Sequence, residues 1–266
     1  MIPRVYYVLL GEVLDLGKVH DHAVCGIARL VDDLPGERDF DGVAMAVQMT
    51  ALALVVGNTV AGIEFEATSD QHDNGPMLTI EDHRRDSAGL RYVYPVVSRR
   101  AGGVSVGINL NVNNACNWAC LYCQVDNLTR GGPPPVDLDL LERELTGFLE
   151  DVLHGDFMQR NVPESERRLV DVAFSGNGEP TSADEFSAAI ERVRQVLERF
   201  ALAGKIPLRL ITNGSLLHRP QVQSGIRSIG ELDGEVWFKI DRGTPSAAAE
   251  VNLVPVDSGR VRRHLE

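Results

Sequence analysis

Beyond residue 100 the chain alternates short apolar runs with longer stretches of helical period, and this alternation restricts the fold more than any other feature. The run 104–110 is apolar at every second position. The run 169–174 is nearly all apolar, as a strand covered on both faces should be, and 208–212 and 236–241 look alike. Between the first two runs, 137–153 sets Leu138, Leu141, Leu145, Phe148 and Val152 on one helical face, with Gly155 as a stop. Between the second and third, Ser182 and Glu185 read as a capping box. Phe186, Ile190, Val193, Leu197 and Phe200 then form the stripe, and Gly204 closes it. Strand–helix–strand units joined by right-handed crossovers predict an α/β fold with a parallel sheet, either open or a (β/α) barrel, with about four units visible.

Length and charge narrow the classes. At 266 residues, 44% hydrophobic and 24% charged, the chain is long enough to bury a core without disulfides. A net charge of −12 argues against a protein that coats nucleic acid generally. Residues 1–80 carry 4 Lys/Arg against 12 Asp/Glu and read as a separate β-rich segment. Within it, 52–56 and 59–65 suggest a hairpin turning at Gly57-Asn58, and 71–76 suggests a boundary before a second region, 81–266. The uncharged stretch 42–63 is flanked by Asp41 and Glu64 rather than by Lys or Arg, so no membrane association is expected. The start of the chain lacks the pattern of a secretory signal, and a cytoplasmic location is expected. The stretch 84–100 holds five arginines and one acid around Tyr92 and Tyr94. Such a stretch can grip RNA, but a solvated strand face or structural ion pairs is the favoured reading.

The chemistry centres on Cys116-Asn-Trp-Ala-Cys120-Leu-Tyr-Cys123, directly after the first strand. Thiolates spaced C-x3-C-x2-C on one loop can converge on one inorganic centre, and soft sulfur ligands select iron–sulfur clusters or zinc. Structural zinc requires a fourth ligand. No histidine stands within about thirty residues of the loop, and Cys25 is about ninety residues away. Three thiolates suit a 4Fe–4S cluster with one iron left open.

With an aromatic before its last cysteine, this loop resembles that of the radical S-adenosylmethionine (SAM) superfamily. Ser175-Gly-Asn-Gly-Glu179-Pro-Thr181 after the second strand is similar to the Gly-Gly-Glu segment of those enzymes. Thr212-Asn-Gly-Ser215 after the third strand and Lys239-Ile-Asp241 at the end of the fourth agree with it. From Tyr92 to Lys239 the pattern resembles the branch containing the tRNA wyosine-synthesis enzymes and their bacterial relatives. The resemblance covers about residues 82–254 and implies a partial barrel of the radical SAM type. It implies Cys116, Cys120 and Cys123 as cluster ligands and Tyr122 near the adenine. Gly176, Asn177 and Gly178 would approach the methionyl end of SAM, with Glu179 beside its ammonium. Thr212, Asn213, Lys239 and Asp241 would contact ribose, carboxylate or substrate; an Asn-Gly turn and a Lys239–Asp241 ion pair are the plainer readings. The implied reaction is reductive cleavage of SAM to a 5′-deoxyadenosyl radical that abstracts hydrogen from a substrate. The implied partners are an electron donor such as flavodoxin or ferredoxin and an RNA or tRNA substrate. A peptide substrate, a partner enzyme to be activated, and a non-catalytic iron–sulfur or SAM-binding fragment are the alternatives.

Two features depart from the family. The second cysteine set of wyosine-forming enzymes is missing, since only Cys25 lies outside the loop. Four units are visible where the family core has six, so the chain is expected to be a fragment. Residues 1–76 are expected to be dispensable for cluster and SAM binding, the opposing idea being that they close the open sheet edge.

Overall fold

A computed structural model describes the backbone of residues 4–9 and 12–15, Leu78, and residues 88–98, 102–242, 244–257, 259–260 and 263. The hairpin expected at 52–65, the 71–76 boundary and Cys25 lie outside the described residues. In chain order the elements are β1 (Arg4–Leu9), β2 (Glu12–Asp15), β3 (Val93–Ser98), β4 (Gly103–Ile108), β5 (Ala115–Cys116) and β6 (Thr129–Arg130). There follow α1 (Leu138–Leu153), α2 (Phe157–Asn161), β7 (Leu169–Phe174), α3 (Phe186–Arg199), β8 (Leu208–Thr212), α4 (Pro220–Glu231), β9 (Glu235–Lys239) and α5 (Pro245–Asn252).

The main sheet has the order β2-β1-β9-β8-β7-β4-β3. Strands β4, β7, β8, β9 and β1 run parallel, and β3 and β2 add antiparallel edges. Each crossover from β4 to β9 advances one strand in the same direction. Crossovers of one hand therefore place α1, α3 and α4 side by side on one face. Against that face the sheet sends Val104, Val106, Ile108, Val172, Phe174, Leu208, Leu210 and Val236, all buried. Phe174 meets Phe186 of α3 edge-on, with centroids 5.9 Å apart.

The runs 169–174 and 208–212 form strands with the bounds read from sequence. The first strand stops at Ile108 rather than 110. There the Asn109 N–H donates to Tyr92 O (2.8 Å), and its side chain accepts from Asn111 N (3.1 Å), which turns the backbone away. The fourth strand ends at Lys239, two residues earlier than expected. Asp137 caps α1 by accepting from Leu140 N at 2.9 Å. The capping box expected at Ser182 and Glu185 is absent. Ser182 Oγ donates instead to Glu179 O (2.6 Å), and Glu185 makes no side-chain cap bond.

The stretch around Tyr92 and Tyr94 is β3, paired with β4 from Val93↔Ile108 to Ser98↔Gly103. Pro95 fits there because an edge strand leaves one row of N–H positions unused. Both tyrosines are buried: Tyr92 Oη accepts from Asp137 N (3.0 Å), and Tyr94 Oη bonds Ser175 Oγ (2.7 Å). At the other end, β1 pairs in parallel with β9 from Arg4↔Glu235 to Val8↔Lys239, so residues 4–15 extend the main sheet. No helix among the described residues is long and apolar enough to cross a membrane.

Candidate functional site

In a parallel sheet the loops leaving the carboxyl ends of adjacent strands meet on one side. Here those loops surround a cavity of about 330 Å³, within the range that holds a cofactor-sized molecule. Its wall includes Cys116, Cys120 and Cys123 from the loop after β4 and residues 175–179 from the loop after β7. Thr212 and Asn213 after β8, Tyr122, and Lys239 at the end of β9 complete it. Every site residue expected from sequence lines this one space except Asp241, which stands beside Tyr122.

The cysteine loop is held by asparagines, a feature the sequence reading passed over. Asn109 Oδ1 accepts from Asn177 N at 3.1 Å, tying the loops after β4 and β7. Asn111 Nδ2 donates to Ala115 O (2.8 Å), and Asn177 Nδ2 donates to Asn114 Oδ1 (2.7 Å). Asn114 itself takes the left-handed conformation at φ 54° and donates to Asp126 O. The density of asparagine between 109 and 117 was the available signal. This framework also gives the two glycines a packing role of their own. At Gly176 a Cβ would run into Asn109, and at Gly178 into Ala115 O and Asn111. Close packing between the two loops thus requires both glycines, whatever binds in front of them.

Glu179 is buried, and its carboxylate is well supplied with donors. Oε1 accepts from Thr181 N (3.2 Å), Thr181 Oγ1 (2.6 Å) and Thr212 Oγ1 (2.6 Å), and Oε2 accepts from Asn213 N (2.7 Å). Burial pushes its carboxyl above the usual range, against the pull of these bonds. Oε2 keeps one lone pair for a further donor.

Burial likewise raises the Cys116 thiol, helped by the Glu179 charge, and raises the Cys120 thiol against the pull of Lys239. Lys239 makes no ion pair with Asp241. Its Nζ stands 4.5 Å from the centroid of the Tyr122 ring, a cation–π contact, and Asp241 Oδ2 is buried without a hydrogen-bond partner. Burial and the neighbouring Asp241 carboxylate push the Tyr122 phenol well up. Behind the loop, Ala119 N donates to Asn252 O (3.2 Å) and Leu121 N to Val251 O (2.9 Å), so the end of α5 carries the cysteine segment.

Among the described residues no group of three or more His, Cys, Asp or Glu stands close enough to hold one metal ion. The donor set is nevertheless all sulfur and faces one space, and soft thiolates so placed suit an iron–sulfur cluster better than a single hard cation.

Fold and site together define a class: an open α/β sheet protein with a thiol-lined cleft at the carboxyl ends of its parallel strands. No protein-family model matches the chain, and no solved structure matches it. It is 26% identical over 169 residues to the GTPase Obg of Brachyspira hyodysenteriae, covering 61% of this chain and 22% of that protein. It is 28% identical over 156 residues to the UPF0026 protein MJ1312 of Methanocaldococcus jannaschii, covering 56% of this chain and 43% of that protein. The chain spans less than half the length of these curated relatives. It contains no Gly-x4-Gly-Lys-Ser/Thr phosphate loop.

Proposed function

We propose that the chain is a radical SAM protein, with a 4Fe–4S cluster held by Cys116, Cys120 and Cys123 and SAM bound in the adjoining cleft. The observation that carries this reading is that three thiols, the Glu179 segment, Thr212, Asn213 and Lys239 line one cavity. In this reading the four βα units form part of a barrel. When bound, the cluster supplies the electron that splits SAM into methionine and a 5′-deoxyadenosyl radical.

The residues of the chain hold and orient. Cys116 and Cys120, raised by burial, must shed protons to become ligands, so loading releases protons and weakens at low pH. The spare lone pair on Glu179 Oε2 suits an ammonium donor such as that of SAM. Tyr122, fixed by Lys239 over its face, offers an adenine-sized surface. Asp241, with an unsatisfied oxygen, suits a hydroxyl donor. For the substrate the resemblance points to RNA, whose recognition would rest on the cleft and its mouth. An electron donor such as flavodoxin or ferredoxin and a reducing cytoplasm complete the proposal.

The test is anaerobic reconstitution with iron and sulfide, then reduction with SAM present. Release of 5′-deoxyadenosine supports an enzyme, and a stable cluster without release supports a SAM-binding fragment. Failure to retain iron overturns the proposal. Binding of tRNA with a steep salt dependence would assign the substrate.

A further inference from the structure

The side chains of Asn117, Asn213 and Ser215 form a closed ring between the cysteine loop and the end of β8. Asn117 Nδ2 donates to Ser215 Oγ (2.7 Å), and Asn213 Nδ2 donates to Asn117 Oδ1 (2.9 Å). Asn213 Oδ1 accepts from Ser215 N (3.0 Å) and Ser215 Oγ (2.7 Å). The main-chain N–H of the same Asn213 donates to Glu179 Oε2 at 2.7 Å. One continuous path therefore runs from the residue after Cys116 to the Glu179 carboxylate, crossing from β4 to β7 by way of β8. The Asn213 amide is engaged by this ring on the wall of the cavity.

We propose that Asn117 is a positioning residue, acting through Asn213 to fix the first thiol of the loop relative to the Glu179 carboxylate. Its consequence for SAM rests on the function proposed above. The Cys116 Sγ donates to Asn117 Oδ1 (3.8 Å) and accepts from Trp118 N (3.5 Å), so the ring, by holding that Oδ1, restrains both the thiol and the segment on which it is mounted. Cys123 is exposed and lies farther along the loop, outside the ring. Loss of the ring should free Cys116 and leave Cys123 unchanged. It should also misplace Glu179 against a ligand bound beside the cysteines without removing any thiol.

The experiment is a double-mutant cycle on the full-length chain with Asn117→Ala, Asn213→Ala and the pair. In the reduced, iron-free protein, maleimide labelling of each cysteine is followed by mass spectrometry. Each single variant should label Cys116 about fivefold faster, the value of a hydrogen bond of ordinary net strength. Cys123 should keep its rate, and the double variant should match the singles. In reconstituted protein, iron content should hold while SAM binding weakens about fivefold in each single variant and no further in the double. Equal acceleration at all three cysteines would mean general loosening and overturn the proposal. So would multiplication of the two effects to about 25-fold, because Asn213 would then meet the ligand independently. If either alanine variant fails to fold, Ser215→Ala, which removes one corner of the ring, should show the same Cys116 selectivity at smaller size; no selectivity there overturns the proposal too. Wild-type protein that retains no iron would defeat the functional reading while the labelling still decides the role of Asn117.

Discussion

The two faces of the sheet are held by different physics. Toward the helices, Val106, Ile108, Phe174 and Leu210 are wholly buried among apolar neighbours, and the attraction among them has no preferred direction. On the other side, alternate residues of the same strands carry Ser105, Asp171, Arg209 and Glu235. Ser105 Oγ and Arg209 Nη1 both donate to the Asp171 carboxylate, and Arg209 Nε donates to Glu235 Oε2 (2.7 Å). Trp237 Nε1 donates to the same Glu235 oxygen at 3.0 Å, and the Arg209 guanidinium lies 4.9 Å from its ring centroid. Above this polar row the same face opens into the cysteine cleft through Ser175, Ile211 and Lys239. One face therefore tolerates any close-packed set of apolar shapes, whereas the other depends on particular partners at particular distances.

That contrast can be broken from either side. The largest effect should come at the loop: Cys116→Ala, Cys120→Ala or Cys123→Ala should each abolish cluster iron and visible absorbance. Little change in melting temperature should accompany the loss, and Cys25→Ala should retain both signals. Wild-type iron in any loop variant would detach the site from its cysteines. On the helix side, Phe174→Ala should leave a cavity against Phe186 and cost about 3–5 kcal/mol in denaturant unfolding. A loss below about 1 kcal/mol would show that the core collapses around the gap. On the polar side, Arg209→Met strands Asp171 and Glu235 without a countercharge and should cost about 3 kcal/mol. An additional Asp171→Asn should recover part of it, and strictly additive losses would mean that the row is no network.

The smallest effect concerns pH. Burial holds the Asp171 carboxyl above its usual range, outweighing Arg209 and Ser105. Between its unfolded and folded values the native chain binds the extra proton, so stability should fall as pH rises through the window just above the ordinary carboxylate range. Unfolding curves across that window should show the slope in wild type and a flatter one in Asp171→Asn.

Legibility in the sequence followed the same division. Strands β7 and β8 and the stripes of α1 and α3 were readable because burial against one face imposes a period on the chain. The cysteine loop was readable because its ligands are close in sequence. The partners of Asn117 and of Glu179 were not, since a bond across 98 or 34 residues leaves no periodic trace. Nor was the place of β1 and β3 in the sheet: β3 holds a proline and belongs to an edge, and β1 joins a strand from the far end of the chain. The capping box at Ser182 failed for a local reason, its hydroxyl donating to the Glu179 carbonyl three residues back.

The attachment of the cysteine segment to α5 sets an order of events during synthesis. Arg130 reaches Leu253 O across 123 residues, and the carbonyls that receive the Ala119 and Leu121 amides lie in the same late stretch. A ribosome adding about 5–20 residues per second leaves that segment without its backing for on the order of ten seconds. Through that interval the three thiols stand on a strap of chain whose backing is still to come, within reach of oxidants. The strap is seated only when α5 arrives.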